Sequence, residues 1–145
     1  MLVKQTRDLE SPVYRDSLAI RQAVFVVEQH VPAGLEVDEF EDLAIYFVGY
    51  VDGQAVVTLR LIEADSDYHV QRVAVSRTAR HHGYGQALMR AAEAFARQSG
   101  KKTLTLNAQL SAVPFYKHLN FQTTDKPPFL DAGIMHQEMV KKLIA

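Results

Sequence analysis

The segment with the most chemical content is Arg72-Val73-Ala74-Val75-Ser76-Arg77-Thr78-Ala79-Arg80-His81-His82-Gly83-Tyr84-Gly85-Gln86-Ala87-Leu88. It reads as a strand, a basic turn containing glycine, and the start of a helix. The first amides of a helix have no partner inside it, and the positive end of the helix dipole lies behind them. Gly83 and Gly85 let a ligand come close to the main chain. Arg77 and Arg80 add charge. Together these features make an anion pocket suited to a pyrophosphate. The alternative is an ordinary helix start with incidental glycines. The spacing matches neither GxGxxG nor GxxxxGK[ST], so a Rossmann site and a P-loop are poor fits.

The elements around this turn follow from pattern. Leu2 to Thr6 suits a first strand, and Ser11-Pro12 opens a helix that fades near His30-Val31-Pro32. The acidic run Glu36 to Asp42 is too polar for a core and reads as a loop. Ala44–Val51 and Ala55–Ile62 are apolar on both faces and flank Asp52-Gly53, a two-residue hairpin signal. In Tyr68–Val75 the pattern changes phase: Tyr68 and Val70 share one parity, Val73 and Val75 the other. A β-bulge near Gln71-Arg72 absorbs the change. Gly83 to Ser99 carries the apolar stripe Tyr84, Leu88, Ala91, Ala92 and Phe95, and Gly100 ends it. Lys102–Ala108 alternates as a strand. Ser111 is placed to cap a short helix reaching His118, and Asn120 tolerates a left-handed conformation. Phe121–Thr123 and Ile134–Lys141 complete the order β-α-β-β-β-α-β-α-β-β. The expected class is α/β with a sheet of mixed direction, in a single domain spanning residues 1–145.

Arg80-x-x-Gly83-x-Gly85 after Val73-Ala74-Val75 resembles the acetyl-CoA signature of the GNAT N-acetyltransferases. Leu106-Asn107-Ala108-Gln109, Phe115-Tyr116 and Leu119-Asn120-Phe121 resemble the second half of that family, with Asn120 where a glycine is usual. Arg21-x-x-Val24-Phe25-Val26-Val27-Glu28-Gln29 and Gly133-Ile134-x-His136-x-x-Met139 resemble its small bacterial ElaA-type branch. The resemblance implies a mixed, mostly antiparallel sheet splayed in the middle, with helices on both faces and acetyl-CoA in the split. Val73, Ala74 and Val75 would line the pantetheine arm, with main-chain groups of Val73 and Val75 pairing to it. Arg80, His81, Gly83, Tyr84, Gly85 and Gln86 would hold the pyrophosphate. Asn107 would reach the pantetheine from the neighbouring strand; its alternative is a plain strand-end polar residue.

The reaction implied is direct attack of a primary amine on the thioester. A lysine-like ammonium has a pKa of ~10.4, so freeing the amine at pH 7 costs roughly 4.6 kcal/mol. A base, or a water chain leading to one, would help remove that proton. Glu28, at the end of the first helix, and His136, on the last strand, are the candidate bases; each has a structural alternative. By analogy, the Val75 amide would hold the oxyanion. Tyr116 matches the tyrosine of the family and would protonate the departing thiolate; its alternative is packing beside Phe115. The acidic run would attract a cationic amine or simply be a solvated loop. His81-His82 cannot converge on one ion and no His-Glu-x-x-His is present, so no metal is expected. His30, His69 and His118 belong to no constellation. A non-catalytic acyl-CoA sensor and a phosphate-nucleotide binder are the competing readings.

Composition excludes other classes. Lys and Arg number 16 against 17 Asp and Glu, for a net charge of -1, which disfavours nucleic-acid binding. There are 0 cysteines, so thiol catalysis, cysteine–zinc sites and disulfides are ruled out. No apolar run approaches the ~18 residues of a membrane span, and Met1 to Glu10 lacks a leader pattern. The expectation is a cytoplasmic protein, monomer or homodimer, whose partners are acetyl-CoA and an amine.

Overall fold

A computed structural model describes residues 1–143; Ile144 and Ala145, the end of the expected unit, lie outside the described residues. Strand β1 is Leu2–Thr6. Helix α1, Pro12–Arg21, runs on as a wider π-helical segment over Gln22–Glu28. A four-residue helix α2, Ala33–Glu36, follows. Then come β2 (Ile45–Val51), β3 (Gln54–Ala64), β4 (Asp67–Val75), α3 (Tyr84–Gln98), β5 (Thr103–Gln109), α4 (Val113–His118), β6 (Gln122–Thr123), β7 (Phe129–Asp131) and β8 (Ile134–Lys142). No helix among the described residues is long and apolar enough to cross a membrane.

The strands form one sheet in the order β1-β2-β3-β4-β5-β8-β6, with β7 also paired to β8. Every pairing is antiparallel except β4 with β5. The parallel pair needs a crossover, and α3 supplies it. This is the expected mixed, mostly antiparallel sheet.

Local chemistry accounts for many boundaries. The Ser11 hydroxyl accepts the Val13 amide at 3.1 Å, and Pro12 stands in the first turn. Asp52 and Gly53 both take positive φ, 50° and 79°, as a tight hairpin turn requires. Ser111 does not cap α4: residues Leu110–Ala112 form a 3-10 turn that leads directly into the helix. Strand β7, absent from the expected order, forms because its three residues pair with the start of β8.

The sheet is covered on both faces. On one, α3 and α4 bury Leu88, Met89, Ala92, Ala96, Tyr116 and Leu119 against Leu59, Val70, Leu104 and Leu106. On the other, α1 and the π-helical segment bury Ile20 and Val24 against Val48 and Ala74. The bulge lies where the sequence pattern changes phase. Thr58 is opposite Ala74 and Arg60 opposite Gln71, so Leu59 faces two residues of β4. Arg72 takes φ 57° there. Before the bulge Tyr68 and Val70 face α3; after it Val73 and Val75 do, and Ala74 turns to α1.

Candidate active site

Strands β4 and β5 pair only from Asp67↔Thr103 to Val70↔Leu106. Beyond that point they diverge, and a cleft of about 600 Å³ opens between them, a size typical of small-molecule sites. Val73, Ala74, Val75 and Arg80 line one wall; Asn107 and Gln109 line the other. Glu28, His69, Tyr116 and His136 complete it. The expected site residues Glu28, Val73, Ala74, Val75, Arg80, Asn107, Tyr116 and His136 are therefore brought together. His81, Gly83, Tyr84, Gly85 and Gln86 lie beyond the lining, around the start of α3.

The β4 wall offers main-chain groups. The Ser76 amide donates to the Val56 carbonyl at 2.8 Å, which turns residue 76 toward β3. Strand alternation then turns Val75 and Val73 toward the cleft and Ala74 toward β3. No strand pairs with that edge after Val70.

Past the wall, the chain turns sharply into α3. His81 and Gly83 take φ 66° and 78°. The first helical bond joins the Ala87 amide to the Gly83 carbonyl at 3.0 Å, so the amides of Tyr84, Gly85 and Gln86 have no acceptor one turn back. A methyl on Gly85 would sit 3.4 Å from Val75 and 3.5 Å from Phe115, so this corner is already close-packed. His82 stacks on Tyr84 with ring centroids 5.6 Å apart.

Two ties cross the mouth of the cleft from adjacent residues of the first helical segment. Glu28 is gripped by both terminal nitrogens of Arg80, at 2.9 and 2.8 Å. Gln29 accepts from the Gln109 amide at 2.9 Å. The Arg80 bond holds the Glu28 carboxyl below its ordinary range; desolvation opposes it, and the charges of Arg80 and Arg77 add to the lowering. Glu28 is thus ionised and a weak proton acceptor while that pairing lasts.

The polar groups divide between the two faces of the sheet. Tyr116 comes from the α3–α4 side, packed among Phe115 and Phe121. Burial pushes its phenol well above the ordinary value, so it keeps its proton. Thr103, Thr105 and Asn107 alternate with the core residues Leu104, Leu106 and Ala108 and so occupy the opposite face. His136 Nδ1 lies 2.7 Å from the Ile134 carbonyl. That contact puts its proton on Nδ1 and leaves Nε2 as an acceptor. Asn107 Oδ1 is buried without a hydrogen-bond partner. Orphaned acceptors of this kind are uncommon in folded proteins.

The structure also places residues that the sequence reading missed. His69 lines the cleft through its pairing with β5, and its Nδ1 lies 2.8 Å from Thr105 Oγ1. The acidic run is corrected in part. It is a loop, but Glu36 and Glu41 are buried, and the run does not stand as a free acidic surface. Arg21 binds Glu36 at 2.7 Å and Glu41 at 2.9 Å. Arg60 binds Glu41 at 2.6 Å and Asp38 at 2.7 Å. Arg72, from the bulge, reaches Asp38 at 3.2 Å. This network fastens the loop, and with it one side of the cleft, to β3 and β4.

The fold has counterparts among known proteins. The profile of the acetyltransferase (GNAT) domain matches residues 10–143. The uncharacterized N-acetyltransferase YjcF of Bacillus subtilis (strain 168) is 38% identical over 127 residues, covering 88% of this chain and 91% of its own. An acyl-CoA N-acyltransferase from Pseudomonas aeruginosa superposes with a TM-score of 0.83 at 27% identity, covering 97% of this chain and 98% of that one. Escherichia coli ElaA has the same fold, with a TM-score of 0.82 at 24% identity over 97% of this chain and 98% of its own. With the profile spanning nearly its whole length and a relative of such identity, this chain belongs to the GNAT acetyltransferase family.

Proposed function

We propose that this protein transfers an acetyl group from acetyl-CoA to a primary amine by direct attack within a ternary complex. One observation carries the reading. A strand edge at Val73 and Val75 that no described strand pairs with, opposite a buried Asn107 Oδ1 without a partner among the described residues, lines one cleft, and the start of α3 lies beyond its lining. A pantetheine arm has amides that donate and accept at strand-like spacing, so it satisfies both walls. Its diphosphate then meets the free amides of Tyr84, Gly85 and Gln86 and the positive end of α3. His81, Gly83 and Arg80 shape that turn.

The two faces divide the chemistry. The amine approaches over the polar face, where Glu28 and His136 border the cleft. Its nitrogen attacks the thioester carbon, and the developing oxyanion takes a hydrogen bond from a cleft-facing strand amide, that of Val75. The C–S bond breaks toward the other face. Tyr116 gives its phenolic proton to the thiolate, which the same burial destabilises. The phenolate recovers a proton from solvent.

The test is a thermal-shift comparison of CoA, ATP and NAD, followed by a panel of primary amines with thiol release from acetyl-CoA as readout. Stabilisation by CoA together with turnover of an amine is expected. Stabilisation by ATP or NAD alone removes the reading, and CoA binding without any turnover leaves an acyl-CoA sensor in its place.

A further inference from the structure

His69 occupies the vertex of the split. It is opposite Thr105, one residue before the last paired position, Val70↔Leu106. Its side chain projects to the polar face, and its ring ends a short hydrogen-bonded chain. Thr103 Oγ1 donates to one Asp67 oxygen at 2.9 Å and Thr105 Oγ1 to the other at 2.6 Å. A threonine has one hydroxyl proton. Since Thr105 gives it to Asp67, the 2.8 Å contact with His69 is Nδ1–H donating to Thr105. Nε2 is therefore the basic nitrogen. It has no protein partner among the described residues, and it is not sealed from solvent.

We propose that His69 is the general base of the acyl transfer, oriented by Thr105 and Asp67 acting as positioning residues. The inference rests on the acetyl-transfer reading above and names the group that reading leaves open. Nε2 takes a proton from the incoming ammonium. The neutral amine forms the C–N bond; as the C–S bond breaks, its nitrogen gives up a second proton to water, the thiolate leaves with the Tyr116 proton, the phenolate regains one from water, and the imidazolium returns its proton to solvent. The net products are an amide, free CoA thiol and one proton. Acid and base then stand on opposite faces of the sheet, with the scissile bond between them.

Position separates His69 from the other two candidates. Glu28 is held by Arg80. His136 pairs with Gln109, four residues past Thr105, or about 13 Å farther along β5. Protonation is suited to the task as well. Desolvation lowers the His69 pKa most; Asp67 and Glu138 raise it, while Arg60 and Lys126 lower it further. The ring is neutral at pH 7 and ready to accept.

Three measurements test the assignment on the full chain. Histidine-labelled nitrogen NMR should find His69 neutral at pH 7 with its proton on Nδ1; a charged ring, or a proton on Nε2, overturns the proposal. His69→Gln should bind CoA as the wild type does. It should lose roughly 100-fold in turnover with a strongly basic amine such as ethylamine and far less with trifluoroethylamine, which arrives unprotonated. Equal losses with both amines, or none, overturn the role. Thr105→Val keeps the imidazole but cuts its link to Asp67, so the acid limb of the rate profile should move to lower pH; an unmoved limb counts against the relay. Wild-type protein that does not bind CoA sinks the acyl-transfer reading itself. Bound CoA with a fully active His69→Gln sinks this inference alone.

Discussion

Arg80 grips Glu28 with both terminal nitrogens, at 2.9 and 2.8 Å, while its Nε donates to the Val75 carbonyl at 3.1 Å. One side chain thus joins the end of the first helical segment to the strand edge and to the glycine turn. On the proposed reading, a diphosphate arriving at that turn would compete with Glu28 for the guanidinium.

The competition has measurable consequences. Arg80→Ala should weaken CoA binding by about 10- to 100-fold, the worth of one or two charge-assisted hydrogen bonds. Glu28→Gln should tighten it, because the guanidinium is no longer held. Calorimetric titration with CoA reads both. Weaker binding in Glu28→Gln would show that the pair acts only as a structural tie.

Tyr116→Phe removes the phenolic proton and little else, since the ring packs between Phe115 and Phe121. Turnover should fall by roughly 100-fold, with CoA affinity unchanged. A variant as fast as the wild type would leave Tyr116 as a packing residue.

Asn107→Ala tests the orphaned acceptor. A buried polar group without a partner costs about 1–3 kcal/mol, so removing it should leave the free protein at least as stable in urea unfolding. CoA affinity should fall at the same time. Loss of stability without loss of CoA affinity would place the role of Asn107 in the fold.

The charge network under the acidic loop predicts an acid-sensitive fold. Burial alone would raise the Glu41 pKa. Hydrogen bonds from Arg21 and Tyr14 and the charges of Arg21 and Arg60 outweigh it and hold the value at about 2, against an ordinary 4.5. The folded value is depressed, so the stabilisation is complete above about pH 4.5 and disappears as pH falls toward 2. Glu41→Gln removes the carboxylate that Arg21 and Arg60 share, leaving them Glu36 and Asp38, and should cost about 3 kcal/mol near neutrality. The gap between variant and wild type should narrow on acidification, as urea midpoints at several pH values would show.

What could be read from the chain was what neighbouring residues decide. Asp52-Gly53, Ser11-Pro12 and Asn120 each set a local backbone geometry, and Asn120 indeed takes φ 70°. The bulge was legible because strand parity changes within one segment. The turn from Arg80 to Gln86 was legible because glycine and charge occur together there. His69 was not, because its meaning comes from Thr105, 36 residues away, through strand pairing. The buried network was equally hidden. Glu36 and Glu41 are polar by type, and only Arg21 and Arg60, brought in by α1 and β3, make their burial tolerable. The grip of Arg80 on Glu28 spans 52 positions and could not be read from either residue alone.

The pairing of β4 with β5 stops after Val70↔Leu106, and β6 and β7 attach to β8 alone. The far third of the sheet is therefore stitched to the rest along a short seam, helped by the α3 crossover. On the proposed reading, an acyl carrier seated there would act as a missing strand. It would slow amide exchange across the whole distal panel, well beyond the residues it touches. On that reading the co-substrate would be a transient part of the architecture, and its departure after each turnover would loosen the same panel that must admit the next one.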